Sequence, residues 1–294
     1  MKKFVINEEF LQQVETLQMI IKNNTGGMFG GNRQSRSFGS SCEFADYRDY
    51  IAGDDLTKID WNAYARFDKL YLKLYLDERQ MHTKIYIDAS RSMEYGSGAK
   101  AEQALRLAAT IAYLAVCEMD KVSIFAVHEH HVEDVILGMV GKESYTAAIG
   151  RLNDIVFDGD SYMTDAICES NVGSGDGLSV LISDFLTDND YESAIDHLVD
   201  RKRDVLCVQV LSKEELNPQI RGKSHLFDSE NVQKSYRKNI DREIMQAYRK
   251  ALQYATGRIR EYCNARGAEY LLTAAEDRIG DIFFGKLADM GVLK

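Results

Sequence analysis

The chain has 294 residues, 45% of them hydrophobic and 28% charged, with a formal net charge of −10. That length holds one large α/β domain or two smaller ones, and the composition is that of an ordinary globular protein. Residues 81–215 carry a net −13 and residues 216–294 a net +4, so the central segment disfavours a nucleic-acid backbone and favours cations or basic partners.

Residues 7–23 place Phe10, Leu11, Val14, Leu17 and Ile21 at helical intervals, with Asn7 as N-cap. Met1-Lys2-Lys3 resembles the charged start of a secretory signal, but Glu8 and Glu9 interrupt the apolar stretch that a signal needs, so none is expected. The glycine- and serine-rich stretch 23–41 reads as a loop. Residues 42–79 are dense in aromatics and charges, and Tyr71–Leu76 reads as a strand.

From residue 84 strands and helices alternate. The pattern predicts a strand over 84–88, a helix over 100–118, and a hairpin of strands 122–127 and 132–137. Helices over 143–155 and 164–171 follow, then a strand over 178–183, a helix over 190–200 and a strand over 204–211. A long amphipathic helix over 240–265, a strand over 268–272 and a helix over 278–290 complete it. This order predicts an α/β fold with a doubly wound, mainly parallel sheet. The expected division is an N-terminal extension, 1–79, and a main domain, 80–294. No apolar run of about 18 residues occurs, so no membrane span is expected. Cys42, Cys117, Cys168, Cys207 and Cys263 are dispersed without a C-x-x-C pair. That usage suits a reducing, cytoplasmic compartment.

The run Lys84-Ile-Tyr-Ile-Asp88-Ala-Ser90-Arg-Ser92-Met93 carries the most chemistry. A buried-type strand ends on a carboxylate, and two hydroxyls follow at alternate positions. Oxygen donors of this kind suit a hard divalent cation, Mg²⁺ or Mn²⁺. In a doubly wound sheet, ligands gather beyond the carboxyl ends of the strands at the switch point. Asp184 ends a second apolar strand, and Thr164 opens a helix between the two. The expected metal set is therefore Asp88, Ser90, Ser92, Thr164 and Asp184. The bland alternative is that Asp and Ser merely cap turns and helices.

The spacing D-x-S-x-S followed by methionine resembles the metal-ion-dependent adhesion site of von Willebrand factor A domains. The preceding segment sharpens the likeness. Glu43-Phe44, Arg48-Asp-Tyr50, Gly53-Asp54-Asp55, Ile59-Asp60-Trp61 and Ala65-Arg66 occur in order. The chain thereby resembles domain-of-unknown-function family 58, from about Ser37 onward. Many relatives have an arginine where Thr57 or Lys58 stands, and many carry N-terminal membrane helices. The resemblance implies a von Willebrand A-like fold and a protein adaptor or assembly factor working with a MoxR-type AAA+ ATPase and a client protein. It also implies that the hydroxyls ligate directly and that one or both aspartates act through water. The metal then keeps an open position for a partner's Asp or Glu.

The signature residues Arg48, Asp54, Asp55, Asp60, Trp61 and Arg66 have two readings. One is a partner-binding surface. The preferred one is structural: a turn at Gly53-Asp54, a helix cap at Asp60, an Arg66 ion pair with one of the acids, and Trp61 as a core anchor.

Rival chemistries find less in the sequence. His128-Glu-His130-His131 lies at a hairpin tip, where alternation splays neighbouring imidazoles. Gly96-Ser-Gly-Ala-Lys100 lacks the spacing of a phosphate loop. The cations Arg237, Lys238, Arg242, Arg249, Lys250, Arg258 and Arg260 read as a solvated helix face, not a nucleic-acid site. A Mg²⁺-dependent phosphatase or other hydrolase is the alternative function, but its acid/base would be a second carboxylate where Ser90 stands. A third reading is an A-like domain without metal.

Overall fold

Helix α1 spans Glu8–Asn24, and Asn7 caps it by accepting from Phe10 N–H at 2.9 Å. Phe10, Val14 and Leu17 are buried as one stripe. Just ahead of it, Asn153 Oδ1 accepts from Val5 and Ile6 N–H at 2.9 and 3.0 Å, and Asn153 Nδ2 donates to Ile6 O at 3.1 Å. The computed structural model describes residues 5–24, 44–75, 80–94, 98–169, 175–187, 190–220, 222–227 and 235–287. The loop expected at 23–41 lies almost wholly outside them. Two compact units form: Met1–Gly27 with Met81–Leu293, and Met28–Gln80. The expected 1–79 extension is therefore divided, because the apolar stripe of α1 and the Asn153 bonds tie the first residues to the large unit.

In the small unit, β1 (Phe44–Asp49) pairs antiparallel with β2 (Tyr71–Tyr75), and α2 (Trp61–Phe67) lies between them in sequence. Asp60 is buried and caps α2 through Asn62 and Ala63 N–H at 2.9 and 3.2 Å. The Tyr47 hydroxyl, 2.8 Å away, is the main cause that holds this carboxyl down to about 2, and Lys73 adds an ion pair at 3.3 Å. Asp54 sits in the turn after Gly53, whose φ of +107° suits glycine. The arginine on Asp54 is Arg48, at 2.7 Å, in place of the expected Arg66. Trp61 corrects the core-anchor expectation, being 61% exposed. The cap residue Asp60 takes the inward position, so the next side chain turns outward from a helix that buries none of its residues.

The large unit continues with β3 (His82–Asp88), α3 (Arg91–Glu94), α4 (Ala99–Cys117), β4 (Lys121–His128) and β5 (His131–Met139). Then come α5 (Gly141–Ala148), a 3₁₀ turn (Ile149–Asp154), α6 (Met163–Glu169), β6 (Leu178–Ser183), α7 (Glu192–Asp200) and β7 (Asp204–Leu211). Last are α8 (Lys213–Leu216), β8 (Gly222–Phe227), β9 (Ser235–Ile240), α9 (Arg242–Arg266), β10 (Glu269–Ala274), α10 (Ile279–Asp281) and a π-helical turn (Ile282–Leu287). The expected closing helix over 278–290 is thus helical from Ile279 but widens into a π-helical turn from Ile282, and residues 288–290 lie outside the described residues.

Six strands form one sheet in the order β10-β7-β6-β3-β4-β5. Every pairing is parallel except β4 with β5. The inner strands are near-continuous apolar runs because helices cover both faces. Tyr86 and Phe125, register partners on β3 and β4, stack at 5.2 Å over Ile167, Ile195 and Ile259 of α6, α7 and α9. Alternation turns Ile85 and Ile87 to the opposite face, where α4 lies. The β8–β9 hairpin is separate. It places Arg237, Lys238 and Ile240 on β9, so Arg237 and Lys238 leave the expected helix face, and the helix expected over 240–265 starts at Arg242.

Asn153→Ala removes three hydrogen bonds that hold the chain ahead of α1. A loss of about 1–3 kcal/mol is expected, with hydrogen exchange in α1 accelerating before exchange in β3, β4, β6 and β7 changes. Uniform acceleration across the sheet would contradict this view of α1 as an attached layer.

Candidate metal-ion site

The chain runs from β3 outward to β4 and β5, then returns to the other side of β3 to lay down β6, β7 and β10. The sheet therefore switches direction between β3 and β6, and the loops after these strands part to leave a crevice. Asp88 ends β3, and Asp184 comes directly after the last residue of β6.

Both carboxylates are buried. Asp88 Oδ1 accepts from Ser90 N–H at 3.0 Å, and its Oδ2 accepts from Ser183 Oγ at 2.5 Å. Burial, followed by the neighbouring Asp184 charge, pushes the Asp88 carboxyl above its ordinary value, and the hydrogen bonds only offset this in part. Ser90 Oγ and Ser92 Oγ are 3.0 Å apart, and Ser92 Oγ donates to Asp184 Oδ2 at 2.9 Å. Ser90 and Ser92 therefore link the two carboxylates, Ser90 holding Asp88 through its main-chain N–H and Ser92 holding Asp184 through its hydroxyl.

Asp184 is held on every side. Leu186 N–H reaches Oδ1 at 3.1 Å, and Lys100 Nζ reaches Oδ2 at 2.8 Å. Gln209 Nε2 donates to its main-chain carbonyl at 2.6 Å, and Tyr270 OH fixes Gln209 by donating to Oε1 at 2.5 Å. The turn continues through Phe185, which adopts φ +48° while its N–H bonds Ser183 Oγ at 2.9 Å. A left-handed non-glycine residue costs on the order of 1–3 kcal/mol and marks a place where geometry is forced.

The crevice opens as a shallow depression. Its polar lining is Asp88, Ser90, Ser92, Ser161, Ser183, Asp184, Thr187 and Asp190, with Met163, Phe185 and Tyr191 as the apolar wall. Four of the five expected residues, Asp88, Ser90, Ser92 and Asp184, come together there. Thr164 does not line it. Its Oγ1 donates to Asp190 O at 2.5 Å, and Asp190 Oδ1 in turn accepts from Glu192 and Ser193 N–H at the start of α7. Ser161, three residues earlier, contributes the oxygen from this loop. A backbone bridge between Glu129 and Ser161 positions it.

Residues outside the expected set also matter. Gln209 announces itself as the one polar residue in the apolar run Val205–Leu211. Lys100 stands in the first turn of α4, where the helix dipole disfavours a cation. It is buried and pairs with both Asp184 and Glu215, the latter at 2.7 Å. Burial lowers its pKa, but the two carboxylates outweigh that and raise it, so the group is an ammonium.

The histidine cluster behaves as a hairpin tip. His130 stacks on Tyr162 at 4.2 Å and bonds Asp165, while His128 stacks on His131 and pairs with Glu133. Among the described residues no group of three or more His, Cys, Asp or Glu gathers to hold a metal. The crevice gathers hydroxyls instead. Of the basic residues on α9, Arg258 pairs with Glu192 at 2.7 Å and Arg260 lies over the Tyr270 ring.

The family model described as "Protein of unknown function DUF58" matches residues 46–258. The chain belongs to this family. An uncharacterized protein of Mycobacterium tuberculosis and one of Mycobacterium bovis are each 27% identical to the DUF58 chain over 103 residues. That match covers 34% of this chain and 32% of each relative, so it spans about a third of the curated relatives' length. Among solved structures, the conserved hypothetical protein BatB from Bacteroides thetaiotaomicron is 12% identical, with a TM-score of 0.43, over 72% of this chain and 99% of that one. The von Willebrand factor type A protein from Catenulispora acidiphila is 14% identical, with a TM-score of 0.35, over 47% of this chain and 34% of that one. The DUF58 chain has the α/β fold with a doubly wound, mainly parallel sheet that the sequence predicts. Among its described residues no helix is long and apolar enough to cross a membrane.

Because the folded Asp88 carboxyl titrates above its ordinary value of 3.8, ionising it costs folding free energy. That cost is absent below the unfolded value and grows as pH rises through the folded one. Asp88→Asn is therefore expected to raise the thermal midpoint of the metal-free protein at neutral pH, with the gain shrinking toward pH values below the ordinary carboxylate range. Melting curves across that range check it; a destabilised variant at neutral pH would contradict the assigned charge burden.

Proposed function

We propose that this chain is a protein-interaction module that grips its partner through a divalent cation, Mg²⁺ or Mn²⁺, at the β3–β6 crevice. The observation that supports this most is the donor chemistry. Two carboxyl groups and two hydroxyls converge at the switch point, all oxygen, and burial with the neighbouring Asp184 raises a cost of ionising Asp88 that a cation would lower. Asp88, Ser90, Ser92 and Asp184 would hold the ion, with Ser161 in the place the sequence assigned to Thr164. When bound, the cation supplies positive charge and an open position that attracts a carboxylate from outside.

The chain's own residues do the rest. Ser90 and Ser92 are preset by their mutual hydrogen bond, so little is lost in ordering them. Met163, Phe185 and Tyr191 form an apolar wall that lowers the local dielectric and strengthens a charge contact. The partner class implied by the DUF58 resemblance is a MoxR-type AAA+ ATPase, with a client protein that offers an Asp or Glu. The acidic central segment suits a partner whose remaining surface is basic.

The test is capture of a co-encoded AAA+ ATPase by the immobilised chain in Mg²⁺, with and without chelator. Capture should fall at least tenfold on chelation and in Ser90→Ala and Ser92→Ala, both of which should keep the wild-type melting midpoint to within a few degrees. Chelator-insensitive capture would remove the metal from the reading. Turnover of phosphate esters that is lost in Asp88→Asn would replace it with the hydrolase alternative.

A further inference from the structure

Lys100 has no counterpart in the expected metal set, yet it touches one of its members. The ammonium donates to Asp184 Oδ2, the oxygen that already takes Ser92 Oγ, and to Glu215 Oε1. It comes from the first turn of α4, a position that the helix dipole opposes. Glu215 is itself committed. Its Oε2 accepts from Ser212 N–H at 2.7 Å and from Ser212 Oγ at 3.0 Å in the capping box of α8, and its carbonyl accepts from Tyr248 OH of α9 at 2.8 Å.

A carboxylate offers about four acceptor sites. Three of those on Asp184 are taken, by Ser92, Lys100 and Leu186 N–H. A divalent ion meeting Asp184 therefore meets a largely satisfied group with a positive charge already on it. Both effects oppose direct ligation. The second carboxylate, Glu215, draws the ammonium partly away from Asp184 and sets how strongly it opposes the ion.

We propose that Lys100 is a resident counter-cation of the site: it stabilises the crevice while no metal is bound and holds metal affinity down, with Glu215 as the adjustable counterweight. The proposal rests on the metal reading above. It gives an interaction module a reason to bind its ion weakly alone and firmly once a partner's carboxylate adds negative charge. It also links the crevice to α8 and α9 through a single side chain.

Mn²⁺ titration by calorimetry on the full chain distinguishes the outcomes, with Lys100→Met and Glu215→Gln as variants and metal-free melting midpoints alongside. Lys100→Met should bind Mn²⁺ at least tenfold more tightly, although it melts earlier without metal. Glu215→Gln should bind it several-fold more weakly, because the ammonium then rests on Asp184 alone. Opposite directions are the signature. A lysine serving only as a structural tie would lower both midpoints and leave both affinities unchanged or shifted the same way, and that result overturns the proposal. Should Lys100→Met fail to fold, Glu215→Gln decides, and unchanged or tighter binding rejects it. Absence of Mn²⁺ binding in the wild type counts against the metal reading. Binding gained in Lys100→Met would then still support a masking lysine, and binding absent from both would end both ideas.

Discussion

The closeness of two buried carboxylates, Asp88 and Asp184, is the constraint around which the large unit is organised. Their proximity comes from topology. Parallel strands β3 and β6 are neighbours, and each delivers an aspartate at its carboxyl end. Like charges in a low-dielectric crevice are unfavourable unless something compensates. The compensation comes from far along the chain: Ser90 and Ser92 from the loop after β3, Ser183 from β6, and Lys100 from α4. Losing the one charged member, Lys100, costs most, because it leaves the Asp184 charge buried without its counter-charge.

Much of this is legible in the sequence. β3 and β6 each carry a short apolar run near the carboxyl end, Ile85–Ile87 and Val180–Ile182, and the aspartate that follows must lie at the sheet rim. Asp88 and Asp184 are found that way, and Ser90 and Ser92 come with Asp88 because they are local to it. Thr164 and Ser161 show where such reading stops. Both sit near the entry to α6, Ser161 just ahead of the helix and Thr164 in its first turn. Which of them reaches the crevice depends on the Glu129–Ser161 bridge and on a carbonyl, that of Asp190, which claims the threonine hydroxyl. Neither partner is near in sequence.

Other misses share this cause. The β8–β9 hairpin has little alternation in Gly222–Phe227 or Ser235–Ile240, so periodicity carries no signal there. Trp61 is expected inward because large aromatics usually are. Asp60 takes that place instead, since a cap that serves two helical N–H groups, a tyrosine and a lysine is better satisfied inside than out. Lys100 and Gln209 are the instructive cases. Each is a polar residue where an apolar one would be easier, and each has Asp184 as one of two distant partners, with Glu215 the other for Lys100 and Tyr270 the other for Gln209.

The turn at Asp184 ties these observations to energetics. Phe185 is forced to positive φ, burial disfavours the ionised form of Asp88, and Lys100 opposes its own helix dipole. Each feature destabilises the fold locally, and each one shapes the same crevice. The offset lies in the core beneath it, where Tyr270 on β10 holds Gln209 on β7, and Gln209 holds the Asp184 carbonyl. Two neighbouring strands thus brace a turn that local conformational preference would relax. A site intended only to pack would have been satisfied with apolar residues at lower cost. Two carboxylates, a lysine and a strained turn at the switch point are what the proposed cation-dependent grip would require.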